Sequence, residues 1–215
     1  AMRIPAAWDV LTAGRRTSGA GVTIGSIDTG ISFGQAELRG GFAAGSVPGR
    51  TVQHFFLSSL GSSDDACGHG TRMAGVIAAP DDGRSVMGVA WGANLVNVRH
   101  ANGVANVSSS DARAAVRTAG NAGARVVSMA WQSLNWWWQV SDEIRWWHRN
   151  RGVLFLAAAG TSECGGLIID NNVVFPAEMG EVVAVTGISY PGGGVPCGIH
   201  RGPEVDVTAY LDVPT

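Results

Sequence analysis

Residues 21–30, Gly-Val-Thr-Ile-Gly-Ser-Ile-Asp-Thr-Gly, form the stretch that decides the fold class. The segment from Val22 to Ile27 is rich in β-branched residues and bounded by glycines, a pattern typical of a strand buried on both faces of a parallel sheet. The strand ends on Asp28, and Gly30 permits a sharp turn. Because open α/β sheets bind ligands at the carboxyl ends of their strands, we expect Asp28 at a functional edge. The alternative is that Asp28 only caps the turn.

A histidine opens the next informative segment, Gly68-His69-Gly70-Thr71, which precedes an apolar stretch with helical character at residues 73–79. A histidine in the first turn of a helix is held on a rigid element, as a general base should be. Taken alone, it would more often be an exposed cap residue. Beside a strand that ends on a carboxylate, it predicts a hydrogen bond between Asp28 and His69.

The rest of the chain alternates between strand and helix patterns. Strands are predicted at residues 51–56, 94–99, 125–129, 153–159, 182–187 and 205–209, and helices at 110–121 and 136–150. Such alternation indicates an α/β fold with a mostly parallel sheet flanked by helices. The second helix is rich in tryptophan, and Trp136, Val140, Ile144 and Trp147 fall on one stripe, which predicts a packing face. A membrane-surface or partner patch is the less favoured alternative.

The chain resembles the subtilisin-like serine peptidases, or subtilases, over nearly its whole length. Asp28-Thr29-Gly30 resembles the aspartate motif, and His69-Gly70-Thr71 resembles the histidine motif. Later blocks follow in family order: residues 127–129, 157–160, 175–177 and 205–209. The resemblance implies a single domain over residues 1–215 with a subtilisin-like three-layer fold, and a serine endopeptidase that cleaves peptide or protein substrates.

The resemblance also implies roles for particular residues. Asp28 and His69 match two members of a catalytic triad, and Thr161 stands where the family commonly has the asparagine that stabilises the oxyanion. The substrate-binding positions match Ser128, Met129, Ala130 and Gly160. Ala130 and Trp131 replace family glycines, so we expect a narrowed or reshaped pocket.

The third triad member has no match in these residues. The family's Gly-Thr-Ser-Met-Ala block would lie beyond Thr215, so the domain is expected to be incomplete at its carboxyl end, with the serine supplied from outside the chain or by a second chain. Ser162 follows Gly160-Thr161 but lacks the small-residue helix of the nucleophile motif. The alternative function is an inactive subtilase-fold protein that binds peptides or a protein partner. An aspartic peptidase would need a second Asp-Thr-Gly motif.

Composition limits the partners. A net charge of −2 with 15% charged residues lacks the basic excess of a nucleic-acid binder. No apolar run reaches the ~20 residues of a membrane-spanning helix. The opening residues resemble the start of a mature subtilase domain, which implies a prosegment and a secreted or cell-surface protein.

Asp64 and Asp65 are candidate calcium ligands, although a solvated turn is favoured because no set of neighbouring ligands is evident. No other metal or cofactor is expected.

The three cysteines are Cys67, Cys164 and Cys197. Cys67 precedes His69 by two residues and is interpreted as a small, half-buried thiol. Cys164 and Cys197 fall in glycine-rich loops after neighbouring strands, so a close approach of the two is predicted, as a disulfide in a secreted protein would require.

Overall fold

A seven-stranded, wholly parallel sheet forms the centre of the fold. The computed structural model describes residue 8 and residues 19–32, 50–57, 60–81, 83, 87–103, 107–162 and 172–211. The strands are β1 (Thr23–Asp28), β2 (Val52–Phe56), β3 (Asn94–Arg99), β4 (Val126–Met129), β5 (Leu154–Ala158), β6 (Val182–Ile188) and β7 (Val207–Tyr210). Their order across the sheet is β2-β3-β1-β4-β5-β6-β7. The predicted parallel α/β fold is thus confirmed.

Within the ranges that the structure describes, three helices flank this sheet: α1 (His69–Ala78), α2 (Ser109–Asn121) and α3 (Trp138–Arg151). The Ser108 hydroxyl caps α2 by accepting a hydrogen bond from the Asp111 amide, and Gly152 ends α3 in the left-handed conformation that glycine adopts most easily. Every predicted strand and helix is present. His69 is the first residue of α1, as its motif predicted.

The two faces of the sheet are covered differently. On one face, α2 and α3 bury a continuous apolar core that includes Ile27, Val98, Met129 and Phe155, with the apolar stripe of α3 against it. Val140 and Ile144 are fully buried and Trp147 is 8% exposed, which confirms the predicted packing face of α3. Trp138 and Trp146 remain exposed on its outer side.

The opposite face carries α1, which packs beside β1 over a small cluster that includes Ile31, Ala74 and Leu95. Across β4–β7 this face is only half-buried, because alternate residues such as Leu156 and Val185 are partly exposed while their neighbours face the core. Leu154 and Val207, on the same face by register, are 43% and 49% exposed. Within the described residues, no helix covers this part of the sheet.

The helices and cysteines add two smaller findings. None of the helices that the structure describes has the length and apolar character needed to cross a bilayer. Cys67 and Cys197 are free and exposed, so the prediction of a half-buried Cys67 is wrong. Cys164 lies outside the described residues, and the free Cys197 gives no support to the predicted pair.

Candidate active site

Asp28 and His69 meet at the carboxyl edge of β1. The side chain of Asp28 lies on the α1 face of the sheet, and α1 begins with His69 directly beside it. His69 Nδ1 is 2.7 Å from Asp28 Oδ1, which confirms the predicted contact. The Asp28 side chain is 3% exposed and that of His69 is 25% exposed. A buried carboxylate thus faces one ring nitrogen, while part of the His69 side chain stays exposed to solvent.

The contact determines the protonation of His69. The Asp28 carboxylate can only accept, so Nδ1–H donates and Nε2 is left as the basic nitrogen. The hydrogen bond that His69 donates to Asp28 raises the pKa of His69 above its ordinary value, and the Asp28 charge adds to this, against the opposing effects of burial and of Arg72. Among the described residues, Nε2 has no hydrogen-bond partner.

Asp65 is a buried part of the same site. Its side chain accepts hydrogen bonds from the Thr29 hydroxyl, which follows Asp28, and from the backbone around His69. Burial alone would raise the pKa of Asp65, but the hydrogen bonds from Thr71, Gly68 and Thr29 outweigh it and hold that pKa below its ordinary value. The favoured interpretation of Asp65 as part of a solvated turn is therefore wrong, since it is 7% exposed.

The same contacts bear on calcium. Calcium requires oxygen ligands, whereas both Asp65 oxygens face N–H and O–H donors of the protein. Asp65 therefore does not fit a calcium ligand, and the exposed Asp64 alone does not form a site. Within the described ranges, no group of three or more His, Cys, Asp or Glu side chains is arranged to hold a metal ion.

A mostly apolar cavity of about 360 Å³ lies on the half-buried part of the sheet. All five residues predicted from the family's oxyanion and substrate-binding motifs line it: Ser128, Met129, Ala130, Gly160 and Thr161. Met129 does so although its side chain belongs to the core. Met73 of α1 also lines the cavity, one helical turn after His69 and so on the same side of the helix. The cavity therefore borders the helix that carries His69.

Gln132 connects the two segments that border this cavity. The Thr161 amide donates to Gln132 Oε1 at 2.6 Å, and Gln132 Nε2 donates to the Thr161 carbonyl at 2.7 Å. On its other side, the backbone at Thr161 forms an antiparallel bridge with Ile199. The backbone N–H and C=O of Thr161 that face Gln132 thus form a short strand edge. They are hydrogen-bonded to a side-chain amide, where a neighbouring strand could otherwise pair.

The structure changes the expectation for Trp131 in this region and bears on the role of Ser162. Trp131 does not line the cavity, because its ring is buried against Trp137, His100 and Phe175, so only Ala130 remains to reshape the pocket. The Ser162 amide donates to the Gly198 carbonyl, and no described serine hydrogen-bonds to His69.

Sequence reasoning considered Asp65 only as a calcium ligand or as part of a solvated turn, and it missed Gln132 altogether. The one available signal for Asp65 was its position three residues before Gly68, which suits a carboxylate that accepts backbone N–H groups at a helix start. Gln132 carried no signal, because its partner is 29 residues further along the chain.

Comparison with known proteins adds family information to this geometry. A family model described as the subtilase family matches residues 19–213. Subtilisin Savinase of Lederbergia lenta is 34% identical over 174 residues, which cover 80% of this chain and 57% of that protein. An alkaline protease of Alkalihalobacillus alcalophilus is also 34% identical over 174 residues, covering 80% of this chain and 40% of its own length. The chain thus spans about half the length of these relatives.

A solved structure shares the fold. The prenylagaramide maturation protease PagA superposes with a TM-score of 0.71 at 17% identity, over 98% of this chain and 68% of that one. At this level of identity the likeness concerns architecture alone, and it supports a subtilisin-like arrangement of the sheet and helices described above.

Proposed function

Because this chain belongs to the subtilase family, we propose that it acts in a subtilisin-like serine endopeptidase, with Asp28 and His69 as two members of the triad. The observation that carries the proposal is the 2.7 Å contact between His69 Nδ1 and the buried Asp28 carboxylate. Its nucleophilic serine comes from residues outside these 215. The substrates are peptides or proteins.

In this proposal, His69 and Asp28 each have a defined role in the reaction. His69 Nε2 takes the proton of the attacking hydroxyl and later returns it to the leaving amine, while Nδ1–H stays on Asp28. Asp28 keeps the ring in the tautomer that leaves Nε2 basic, and its charge stabilises the imidazolium formed in between. The raised pKa of His69 makes the ring a better proton acceptor.

The cavity residues bind the substrate and stabilise the oxyanion. Ser128, Met129, Ala130 and Gly160 border the path of the peptide, and the Thr161 hydroxyl donates to the oxyanion. The Thr161 amide is bound to Gln132, so the hydroxyl is the donor that this residue has left for the substrate. A hydroxyl on so short a side chain reaches less far than the family's asparagine, so we expect weaker oxyanion stabilisation.

Two observations support a serine from outside the chain. No described serine hydrogen-bonds to His69, and the sheet face beside the cavity exposes apolar residues that another element would bury. The serine segment, in the same polypeptide or in a second chain, covers this face in our proposal. Membership of the family also supports a secreted or cell-surface protein with a prosegment.

Labelling with a fluorophosphonate, which reacts with activated serines, tests this proposal. The 215-residue chain should not be labelled. The same chain extended by a subtilase segment with the Gly-Thr-Ser-Met-Ala block should be labelled at that serine, and the His69→Ala variant should lose the label. Labelling of Ser162 in the unextended chain, or labelling that survives His69→Ala, would contradict the proposal.

A binding function without catalysis is the second candidate. It is favoured by the pairing of Gln132 with Thr161, which occupies backbone groups beside the proposed oxyanion position. A binder would retain peptides on the extended chain without cleaving them. Mass spectrometry of a peptide mixture after incubation separates the two, because an endopeptidase produces fragments and a binder returns intact peptides.

A further inference from the structure

The carboxylate of Asp65 is the acceptor for hydrogen bonds from two separate segments. Oδ1 accepts from the Thr29 hydroxyl at 2.9 Å, the Cys67 amide at 3.0 Å and the Gly68 amide at 2.8 Å. Oδ2 accepts from the amide and the hydroxyl of Thr71 at 2.9 and 2.6 Å. With five donors around two oxygens, the acceptor capacity of the carboxylate is fully used.

The donors are the sequence neighbours of the two catalytic candidates. Thr29 follows Asp28 directly, Gly68 directly precedes His69, and Thr71 lies in the first turn of α1. The Thr29 hydroxyl also accepts from the Gly70 amide at 2.9 Å, so it links the two segments a second time. The segment that carries Asp28 and the segment that carries His69 are therefore joined through the buried side chain of Asp65.

From this arrangement we infer that Asp65 is a positioning residue, which holds the start of α1 against the end of β1 so that His69 stays within hydrogen-bond distance of Asp28. The inference rests on the proposed function for the reaction it serves. The Asp65 oxygens bond to Thr29, Cys67, Gly68 and Thr71 and not to the His69 ring, so Asp65 acts through these neighbours. An amide could not replace the carboxylate, because only one of its two terminal atoms accepts hydrogen bonds.

The test must separate position from charge. The Asp65 charge itself contributes to the raised pKa of His69, alongside Asp28 and against Arg72, so an Asp65 variant alone would be ambiguous. Thr29→Val changes no charge and nearly preserves shape, but it removes both hydrogen bonds of the Thr29 hydroxyl. Thr29→Ser keeps the hydroxyl and is the matched control.

NMR titration of the His69 ring in the 215-residue chain is the measurement. We expect Thr29→Val to lower the pKa of His69 toward its ordinary value, because the Asp28 contact loosens, and Thr29→Ser to retain the native pKa. A folded Thr29→Val chain with the native His69 pKa would overturn the inference. This readout needs no serine, so its failure is distinct from failure of the proposed function.

Asp65→Asn provides the second comparison, with Asp64→Asn on the neighbouring exposed carboxylate as its control. Asp65→Asn should lower the pKa of His69 at least as far as Thr29→Val does, whereas Asp64→Asn should leave it near the native value. If Thr29→Val and Asp65→Asn both failed to fold while their controls folded, Asp65 would be a requirement of folding and the positioning role would be rejected.

Discussion

At the residue scale, one hydrogen bond determines how His69 can act. Asp28 is 3% exposed and accepts from both His69 Nδ1 and the Thr29 amide, so the carboxylate is held in place while the ring remains accessible. The pKa of His69 is raised by this contact. A group with a raised pKa adds stability below its unfolded pKa, near 6.5, and that stability is lost as the pH rises through the folded pKa.

Asp28→Asn should therefore lower the pKa of His69. The neutral amide no longer stabilises the charged ring, whereas burial still lowers the pKa of His69. The variant should also lose the pH-dependent part of stability that His69 contributes in the native chain below pH ~6.5. NMR titration of the ring and urea unfolding at several pH values measure the two effects. Asp142→Asn, on a side chain that is 75% exposed, is the control. An unchanged His69 pKa in Asp28→Asn would contradict the assigned contact.

The same scale shows what sequence could not predict. Asp28 and His69 stand in short motifs, so the adjacent residues are enough to identify them. Asp65 depends on donors from Thr29 and Thr71, and Gln132 depends on Thr161, so each acquires its role only when distant segments meet. Trp131 illustrates the reverse case, since its position in a substrate-binding motif predicted a pocket residue, while its large apolar ring is buried with Trp137 and Phe175.

At the element scale, the position of α1 depends on a close backbone approach. A Cβ atom built on Gly70 would lie 2.3 Å from the Gly30 carbonyl oxygen and 3.0 Å from Asp28 Oδ1. Only glycine allows α1 to begin this near to the end of β1. The hydrogen bond between Asp28 and His69 is thus a product of how two elements pack, as well as of the two side chains.

Gly70→Ala should destabilise the chain by roughly 1–3 kcal/mol, the usual cost of forcing extra volume into a packed site. Among the described residues, no atom outside the helix's own backbone lies within 4 Å of a methyl group added at Gly75, so Gly75→Ala in the same helix should be stabilising by about 0.5–1 kcal/mol. Urea unfolding of both variants gives the comparison. Equal stability of the two would show that α1 does not pack as closely against β1 as described.

The elements themselves were predictable because their signals are local. Strand patterns were recognised from apolar runs bounded by glycines, and β3 (Asn94–Arg99) matches its predicted range at both ends. What these signals could not show is which face of a strand is covered. Leu154 and Phe155 are both apolar, yet one is 43% exposed and the other is 1% exposed.

At the scale of the whole molecule, the sheet is asymmetric. In the part of the chain that the structure describes, α2 and α3 cover one face, whereas the α1 face is only half-buried across β4–β7, beside the cavity that carries the predicted substrate-binding residues. Contiguous exposed apolar surface of this kind marks interaction sites. In our proposal this surface receives the segment with the nucleophilic serine, which would complete the core and the active site together.

Polar substitutions on the open face should therefore be tolerated by the 215-residue chain. Leu154→Ser and Val207→Ser should each cost less than about 1 kcal/mol and should reduce binding of a hydrophobic dye, because each residue is already nearly half exposed to water. Phe155→Ala, on the closed face, should cost about 3–5 kcal/mol. Urea unfolding and dye fluorescence measure these effects. Large losses at Leu154 and Val207 would indicate that the face is covered in solution.

The central claim is that Asp28 and His69 act as one unit on a serine from outside these residues. Peptide hydrolysis by the extended chain with the Gly-Thr-Ser-Met-Ala segment tests it most directly, through kcat of His69→Ala, Asp28→Asn and the double variant. We predict that His69→Ala lowers kcat by ~10⁶-fold and Asp28→Asn by ~10⁴-fold, scales taken from other serine peptidases, and that the double variant loses little more than His69→Ala. Losses below tenfold, or losses that multiply in the double variant, would contradict the account.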